Sequence, residues 1–188
     1  MFSSETIDIV YFDFSKVFNT VPFASLISKL QRTGISGSFS WISNFLHNRS
    51  FSVKVDNAYS NDKPVSSGVP QGSILGPLLF IFYIHDLAEF SDTSNVKIKL
   101  YADDLKAYLI HKNEPAKLAK LQNFIDKLAI YSDKNGLKIS PKKCHSLYIG
   151  GSKNKRHPYI LNGHLLEPKN TVRDLGLLVS QGLKWTLI

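Results

Sequence analysis

The chain has 188 residues, with 23 Lys and Arg against 15 Asp and Glu, a formal charge of +8 and a pI near 9.5. At 43% hydrophobic and 20% charged it has the composition of a globular domain with a core, which excludes a disordered chain. The single cysteine, Cys144, excludes an internal disulfide and a cysteine-based zinc site.

One free thiol fits a reducing compartment. The basic balance suits a polyanionic partner, since Lys and Arg gain affinity for phosphates by releasing counterions. The apolar run from Ile74 to Ile84 is broken by Gly76 and Pro77 and falls short of the roughly 20 residues of a membrane span. No charged segment followed by an apolar one opens the chain, so neither a secretory leader nor a membrane partner is expected.

In chain order, Ile7 to Phe12 is rich in β-branched and aromatic residues and predicts a buried strand, with Asp13 at its end. Pro22 opens a helix with an apolar stripe of Leu26, Ile27 and Leu30, closed by Gly34. A second helix covers Ser38 to His47, with Phe39, Ile42, Phe45 and Leu46 inward. Phe51 to Val55 alternates as a strand and pairs with Lys63 to Ser67. Gly68-Val69-Pro70-Gln71-Gly72 is a punctuated loop before a helix over Leu75 to Leu87. Val96 to Tyr101 and Leu105 to Ile110 are strands joined at Asp103-Asp104. A long helix from Pro115 to Asn135 follows, closed by Gly136. Short strands are predicted at Leu137 to Ile139 and Ser146 to Ile149. Asn162-Gly163, between Tyr159-Ile160-Leu161 and His164-Leu165-Leu166, is the chain's best two-residue hairpin signal. Val172 to Val179 reads as a last strand kinked by Gly176. This order is not a βαβα alternation and predicts an α+β fold with an antiparallel sheet packed on helices.

Tyr101-Ala102-Asp103-Asp104 lies between two apolar strands. A solvated turn is the common reading of such a pair. Yet no Gly or Asn supplies the positive backbone angles of a tight turn, and a third acid, Asp13, ends the other buried strand. Three carboxylates gathered by antiparallel packing repel each other unless cations neutralise them. Hard oxygen donors point to Mg²⁺ or Mn²⁺ rather than zinc. Two such ions about 3.5–4 Å apart would serve in-line phosphoryl transfer without a protein nucleophile.

Around that trio the chain resembles the reverse transcriptase domain of non-LTR retrotransposons of the LINE, jockey or CR1 kind. The resemblance runs through ordered blocks: Phe12 to Val21, Ser67 to Ser73 continuing through Gly76 to Phe80, Tyr101 to Asp104, Asn135 to Cys144, and Asp174-Leu175-Gly176, where that family has its primer-grip hairpin. It implies a polymerase palm: an RNA-directed DNA polymerase that extends a DNA primer on an RNA template with deoxynucleoside triphosphates. It further implies that Asp13, Asp103, Asp104 and the backbone carbonyl of Phe14 hold two Mg²⁺ or Mn²⁺ ions. Phe18, five residues after Asp13, matches the aromatic gate under the sugar, its alternative being a core aromatic. Gly72 would let the backbone approach a nucleotide closely, and Gln71 would contact the nascent pair, the alternative for Gln71 being a water-facing loop residue. Lys142 or Lys143 would stand near the pyrophosphate, the alternative being a solvated basic turn. From Lys134 to Leu166 there are seven Lys and Arg and no acid. Within it Lys138, Lys153, Lys155 and Arg156, together with Leu175 and Gly176, are assigned to nucleic acid.

Asn19 and Val17 depart from the acid and alanine usual at those places, and His85 stands where an asparagine is common. Only 12 residues precede Asp13. The expectation is therefore a single partial domain over 1–188 with most of the fingers and thumb missing. Its catalytic blocks fall in 5–110, and its long helix, basic hairpins and primer-grip-like strand in 111–188. An inactive copy that at most binds nucleic acid is the other reading. The resemblance implies an intracellular protein acting in the nucleus or cytoplasm.

Overall fold

The computed structural model describes residues 5–34, 39–90, 95–112, 114–150, 156–183 and 185–187. The first half holds β1 (Thr6–Asp13), α1 (Val17–Thr20), α2 (Phe23–Arg32), α3 (Phe39–Leu46), the short strands β2 (Ser50–Phe51), β3 (Lys54–Val55), β4 (Ala58–Tyr59) and β5 (Lys63–Pro64), and α4 (Leu75–Ile84) with a 3-10 turn at His85–Phe90. The second half holds β6 (Lys97–Tyr101), β7 (Asp104–His111), α5 (Pro115–Lys134), β8 (His145–Ile149), β9 (Ile160–Leu161), β10 (His164–Leu165), β11 (Glu167–Lys169), β12 (Thr171–Asp174), β13 (Leu177–Ser180) and β14 (Trp185–Leu187). Two compact units form. One takes the described parts of 5–15, 86–134 and 138–187; the other takes those of 16–85 and 135–137.

The first unit is built on a five-stranded sheet of order β11-β8-β1-β7-β6. Its neighbours are antiparallel, apart from the parallel pair β11/β8. The period of two in β1 separates two faces. Asp8, Val10 and Phe12 lie on one, beside Leu105, Ala107 and Leu109 of β7, all buried. Helix α5 covers that face: Leu118, Leu121, Phe124, Ile125 and Leu128 recur at helical spacing and are buried, with Phe124 edge-on to Phe12. Ile7, Ile9 and Tyr11 lie on the other face and pack with Leu147, Ile149, Val172 and Val179, so β12 and β13 cover part of it. Burial on both faces explains why β1 reads as a nearly continuous apolar run. Leu128 has no exposed surface, and Leu128→Ala should cost about 2–5 kcal/mol in denaturant unfolding. A cost below about 1 kcal/mol would mean that α5 is not seated on the sheet as described.

In the second unit, α2 buries Phe23, Leu26 and Leu30, and α4 is apolar nearly all round, with Leu79, Phe80, Tyr83 and Ile84 buried. The Lys29 ammonium donates to the Tyr83 carbonyl at 2.6 Å. The segment 50–64 is not one strand pair. β2 pairs with β5 and β3 with β4, and between them the Ser60 hydroxyl accepts from the Val53 N–H. Leu137 to Ile139 forms no strand, only an isolated bridge from Ile139 to Phe14. Ser38, expected to start a helix, lies outside the described residues.

Candidate active site

Asp13, the last residue of β1, stands directly opposite Asp104, the first residue of β7. Tyr101 pairs with Asp104, which leaves Ala102 and Asp103 as a two-residue turn. Ala102 has φ 51, while Asp103 is not among the residues with positive φ. This is the pattern of a turn whose first central position normally takes glycine. The missing glycine therefore does not exclude a tight turn here; the chain makes one with a strained alanine, at a cost of about 1–2 kcal/mol. Ala102→Gly should accordingly escape the usual penalty of about 0.5–1 kcal/mol for glycine in regular structure. Thermal unfolding of that variant checks this, and a full penalty would contradict the strain.

A second segment wraps the end of β1. The Asp13 carbonyl accepts from Ser140 N–H at 2.9 Å, and Ser15 N–H donates to the Lys138 carbonyl at 2.8 Å. The Asp13 N–H points to Cys144 Sγ at 3.4 Å. Burial pushes that thiol up to about 11, which makes it an unreactive acceptor. Asp13 Oδ1 is buried and accepts no hydrogen bond. The Lys143 ammonium stands 3.3 Å from it, as an ion pair outside hydrogen-bond geometry. Burial, then the charges of Asp103, Asp174 and Asp13, hold the Asp104 carboxyl above its ordinary range, and Lys106 offsets part of this. As the side chains stand, no three His, Cys, Asp or Glu among the described residues converge as a metal-holding group. The donor chemistry nevertheless fits a hard divalent cation: a buried Asp13 oxygen that accepts no hydrogen bond, carboxylate donors at Asp13 and Asp104, and like-charge crowding that a cation would relieve.

Asp13, Asp104 and Lys143 line a cleft of about 550 Å³, with Tyr11, Tyr101 and Leu175 also on its walls; Asp103, on the turn, is not among its lining residues. Lys143 faces it, and Lys142 is exposed outside it. Val172 to Val179, expected as one kinked strand, is the hairpin β12–β13, with Leu175 (φ 49) and Gly176 (φ 85) as its turn. Both central residues have positive φ, as in the mirror-image turn at Asn162-Gly163.

Phe18, Gln71 and Gly72 belong to the second unit. Phe18 is half-buried against Phe80, with ring centroids 4.4 Å apart. Gln71 is exposed and donates to Asn19 Oδ1 at 3.0 Å. Gly72 has φ 78, an angle that calls for glycine, and open space around it. Two neighbouring glycines are packed against backbone: a Cβ would lie 2.7 Å from Asn19 Cα at Gly68 and closer still to the Pro70 carbonyl at Gly76. Lys138 is exposed, and the Arg156 guanidinium lies 5.4 Å over the Tyr148 ring. Lys153 and Lys155 fall outside the described residues.

Residues 5–179 match the family described as reverse transcriptase (RNA-dependent DNA polymerase). The chain belongs to that family. It is 27% identical over 181 residues to the RNA-directed DNA polymerase from mobile element jockey of Drosophila melanogaster, covering 94% of this chain and 20% of that protein. It is 30% identical over 189 residues to the probable RNA-directed DNA polymerase from transposon BS of the same fly, covering 95% and 20%. The chain thus spans about a fifth of the length of these curated relatives. Among solved structures, telomerase from Candida albicans in complex with a fragment of telomeric RNA superposes with a TM-score of 0.66 at 14% identity, over 96% of this chain and 31% of that one. Apo telomerase from Candida tropicalis, truncated from its C-terminal domain, gives 0.65 at 14% over 97% and 36%. These likenesses establish the fold, a reverse transcriptase palm of the α+β class. Reverse transcriptases use divalent metal ions, the class of ligand that the donor set around Asp13 suits. No helix among the described residues is long and apolar enough to cross a membrane.

Among the cleft residues to which the sequence reading gave no role are Tyr11, Lys106 and His145. The signal existed for two of them. Tyr11 precedes Asp13 by two, and Lys106 follows Asp104 by two, so strand alternation puts each on the face of its acid.

Proposed function

We propose that the chain is the palm of an RNA-directed DNA polymerase of a retrotransposon, extending a DNA primer on an RNA template with deoxynucleoside triphosphates. The observation that carries this is the register of Asp13 opposite Asp104, with Asp103 on the turn between β6 and β7. In this reading residues 5–110 carry the catalytic blocks and 111–188 the helix and hairpins that support them. Asp13, Asp103, Asp104 and the Phe14 carbonyl hold two Mg²⁺ or Mn²⁺ ions, which when bound stabilise charge on the reacting phosphate and leaving group.

The protein's own groups position and balance charge. The Lys143 ammonium, now paired with Asp13, is freed for the pyrophosphate, to which it can give a proton; Lys142 is the more remote candidate. Phe18 stacks under the sugar and disfavours a 2′ hydroxyl, while Gln71 and Gly72 meet the nascent pair. Lys138, Arg156, Leu175 and Gly176, with Lys153 and Lys155, contact the nucleic acid backbone. Such a protein works inside the cell, in the nucleus or cytoplasm.

Primer extension on an RNA template is the test. Extension should require Mg²⁺ or Mn²⁺ and be lost in Asp103→Asn, while salt-dependent primer–template binding persists. Binding without any extension by the wild type would favour a nucleic-acid-binding palm without turnover. Extension unchanged in Asp103→Asn would remove the metal role.

A further inference from the structure

Asp174 ends β12 and immediately precedes the Leu175-Gly176 turn. Its carboxylate holds two groups at once: the Lys106 ammonium in an ion pair, and the Tyr11 hydroxyl, which donates at 3.3 Å. Tyr11 and Lys106 lie on the strands that carry Asp13 and Asp104, each two residues from its acid. The Tyr11 ring is fixed from its other side by stacking on His145, with centroids 5.3 Å apart and planes 16° apart. His145 Nδ1 in turn donates to the Lys143 carbonyl at 3.1 Å.

A second observation points the same way. Lys106 stands directly opposite Lys99 in the β6–β7 register, where like charges repel. The Asp174 carboxylate is the countercharge paired with Lys106. It is mostly buried, with 16% of its side chain exposed, so solvent screens the pair less than a surface salt bridge. Leu175, next in the chain, sits at φ 49, a conformation that leucine holds only where its surroundings impose it.

We propose that Asp174 is a positioning residue. By binding Lys106 and Tyr11 together it locks the Leu175-Gly176 turn to both carboxylate-bearing strands, and so sets where a primer end lies relative to Asp13 and Asp104. The second half of this statement rests on the polymerase reading above.

The test uses the full chain with Asp174→Asn, Asp174→Glu, Lys106→Met and the double variant Asp174→Asn/Lys106→Met. Two readouts are taken: hydrogen exchange at the Asp174 and Leu177 amides, which close the turn, without nucleic acid; and KM for primer–template against kcat in extension. Asp174→Asn should speed exchange at those amides on the order of 10-fold while α5 amides keep their protection. It should also lower kcat/KM for primer–template on the order of 10- to 100-fold. Lys106→Met should match it, the double variant should be no worse than either single change, and Asp174→Glu should recover part of the loss. Unchanged exchange in Asp174→Asn would overturn the clamp, as would fully additive effects or a loss that merely follows global unfolding. A wild-type chain that neither binds nor extends a primer would instead sink the polymerase reading, while amide exchange would still decide the clamp.

Discussion

Asp104→Asn should abolish RNA-templated extension and leave the fold at least as stable as before. The loss should be on the order of 10³-fold or more, since in the proposed reading Asp104 is a metal ligand, and such a ligand contributes several kcal/mol of transition-state stabilisation. The stability half follows from the carboxyl's environment. Burial and the charges of Asp103, Asp174 and Asp13 raise Asp104 above its ordinary value of 3.8 in the folded chain. The folded state therefore keeps its proton to higher pH than the unfolded state does. Stability attributable to this group falls as pH rises from about 3.8 through the raised folded value, and the deficit persists at neutral pH. Asparagine carries no such charge. Thermal unfolding without divalent metal should show the variant matching or exceeding wild type at pH 7, with the difference vanishing below about pH 3.8. Extension within tenfold of wild type, or marked destabilisation at pH 7, would contradict this account of the site.

The largest stability effect should come from the opposite face of the same sheet. Asp8 is 2% exposed. Its Oδ1 pairs with His111 Nε2 at 3.0 Å, and its Oδ2 accepts from the Tyr159 hydroxyl at 2.7 Å. Burial first, then the Asp8 charge, pushes the Tyr159 phenol well up, so it stays a donor at any working pH. Asp8→Ala removes the acceptor shared by two buried groups, and breaking such an arrangement costs about 3–5 kcal/mol. For a chain of this length that is a fall of roughly 6–20 °C in Tm. Asp8→Asn, which can still accept from Tyr159, should cost less. A calorimetric shift under about 2 °C for Asp8→Ala would mean that water or side-chain rearrangement replaces the lost acceptor.

Strand β1, helix α5 and the turn at Asn162-Gly163 were legible because each concentrates its signal locally: a buried apolar run, a helical stripe of Leu118, Leu121, Ile125 and Leu128, and a dipeptide suited to positive φ. The convergence of Asp13 with Asp104 was legible for a different reason, since each acid ends an apolar strand and antiparallel pairing brings such ends together. Val172 to Val179 reads from composition as one kinked strand because Gly176 marks the bend, while Leu175 at φ 49 goes against its own preference and hides the full turn; only the family resemblance puts a hairpin there. The ion pair of Asp174 with Lys106 was not legible either. Their pairing spans 68 residues of chain, and neither residue type is unusual where it stands. Nor could sequence choose between Lys142 and Lys143. The structure places the Lys143 ammonium beside Asp13, while Lys142 lies outside the cleft.

The central claim is that Asp13, Asp103 and Asp104 act as one divalent-metal centre. Titrating the chain with Mn²⁺ while following backbone amide signals tests it directly, since a bound paramagnetic ion broadens its neighbours first. At substoichiometric Mn²⁺ the signals of Phe12 to Phe14 and Tyr101 to Leu105 should vanish together, those around Asp8 and His111 should persist, and excess Mg²⁺ should restore the lost ones. In Asp13→Asn and Asp104→Asn the selective broadening should disappear. Broadening that begins elsewhere, or survives both substitutions, would contradict the site.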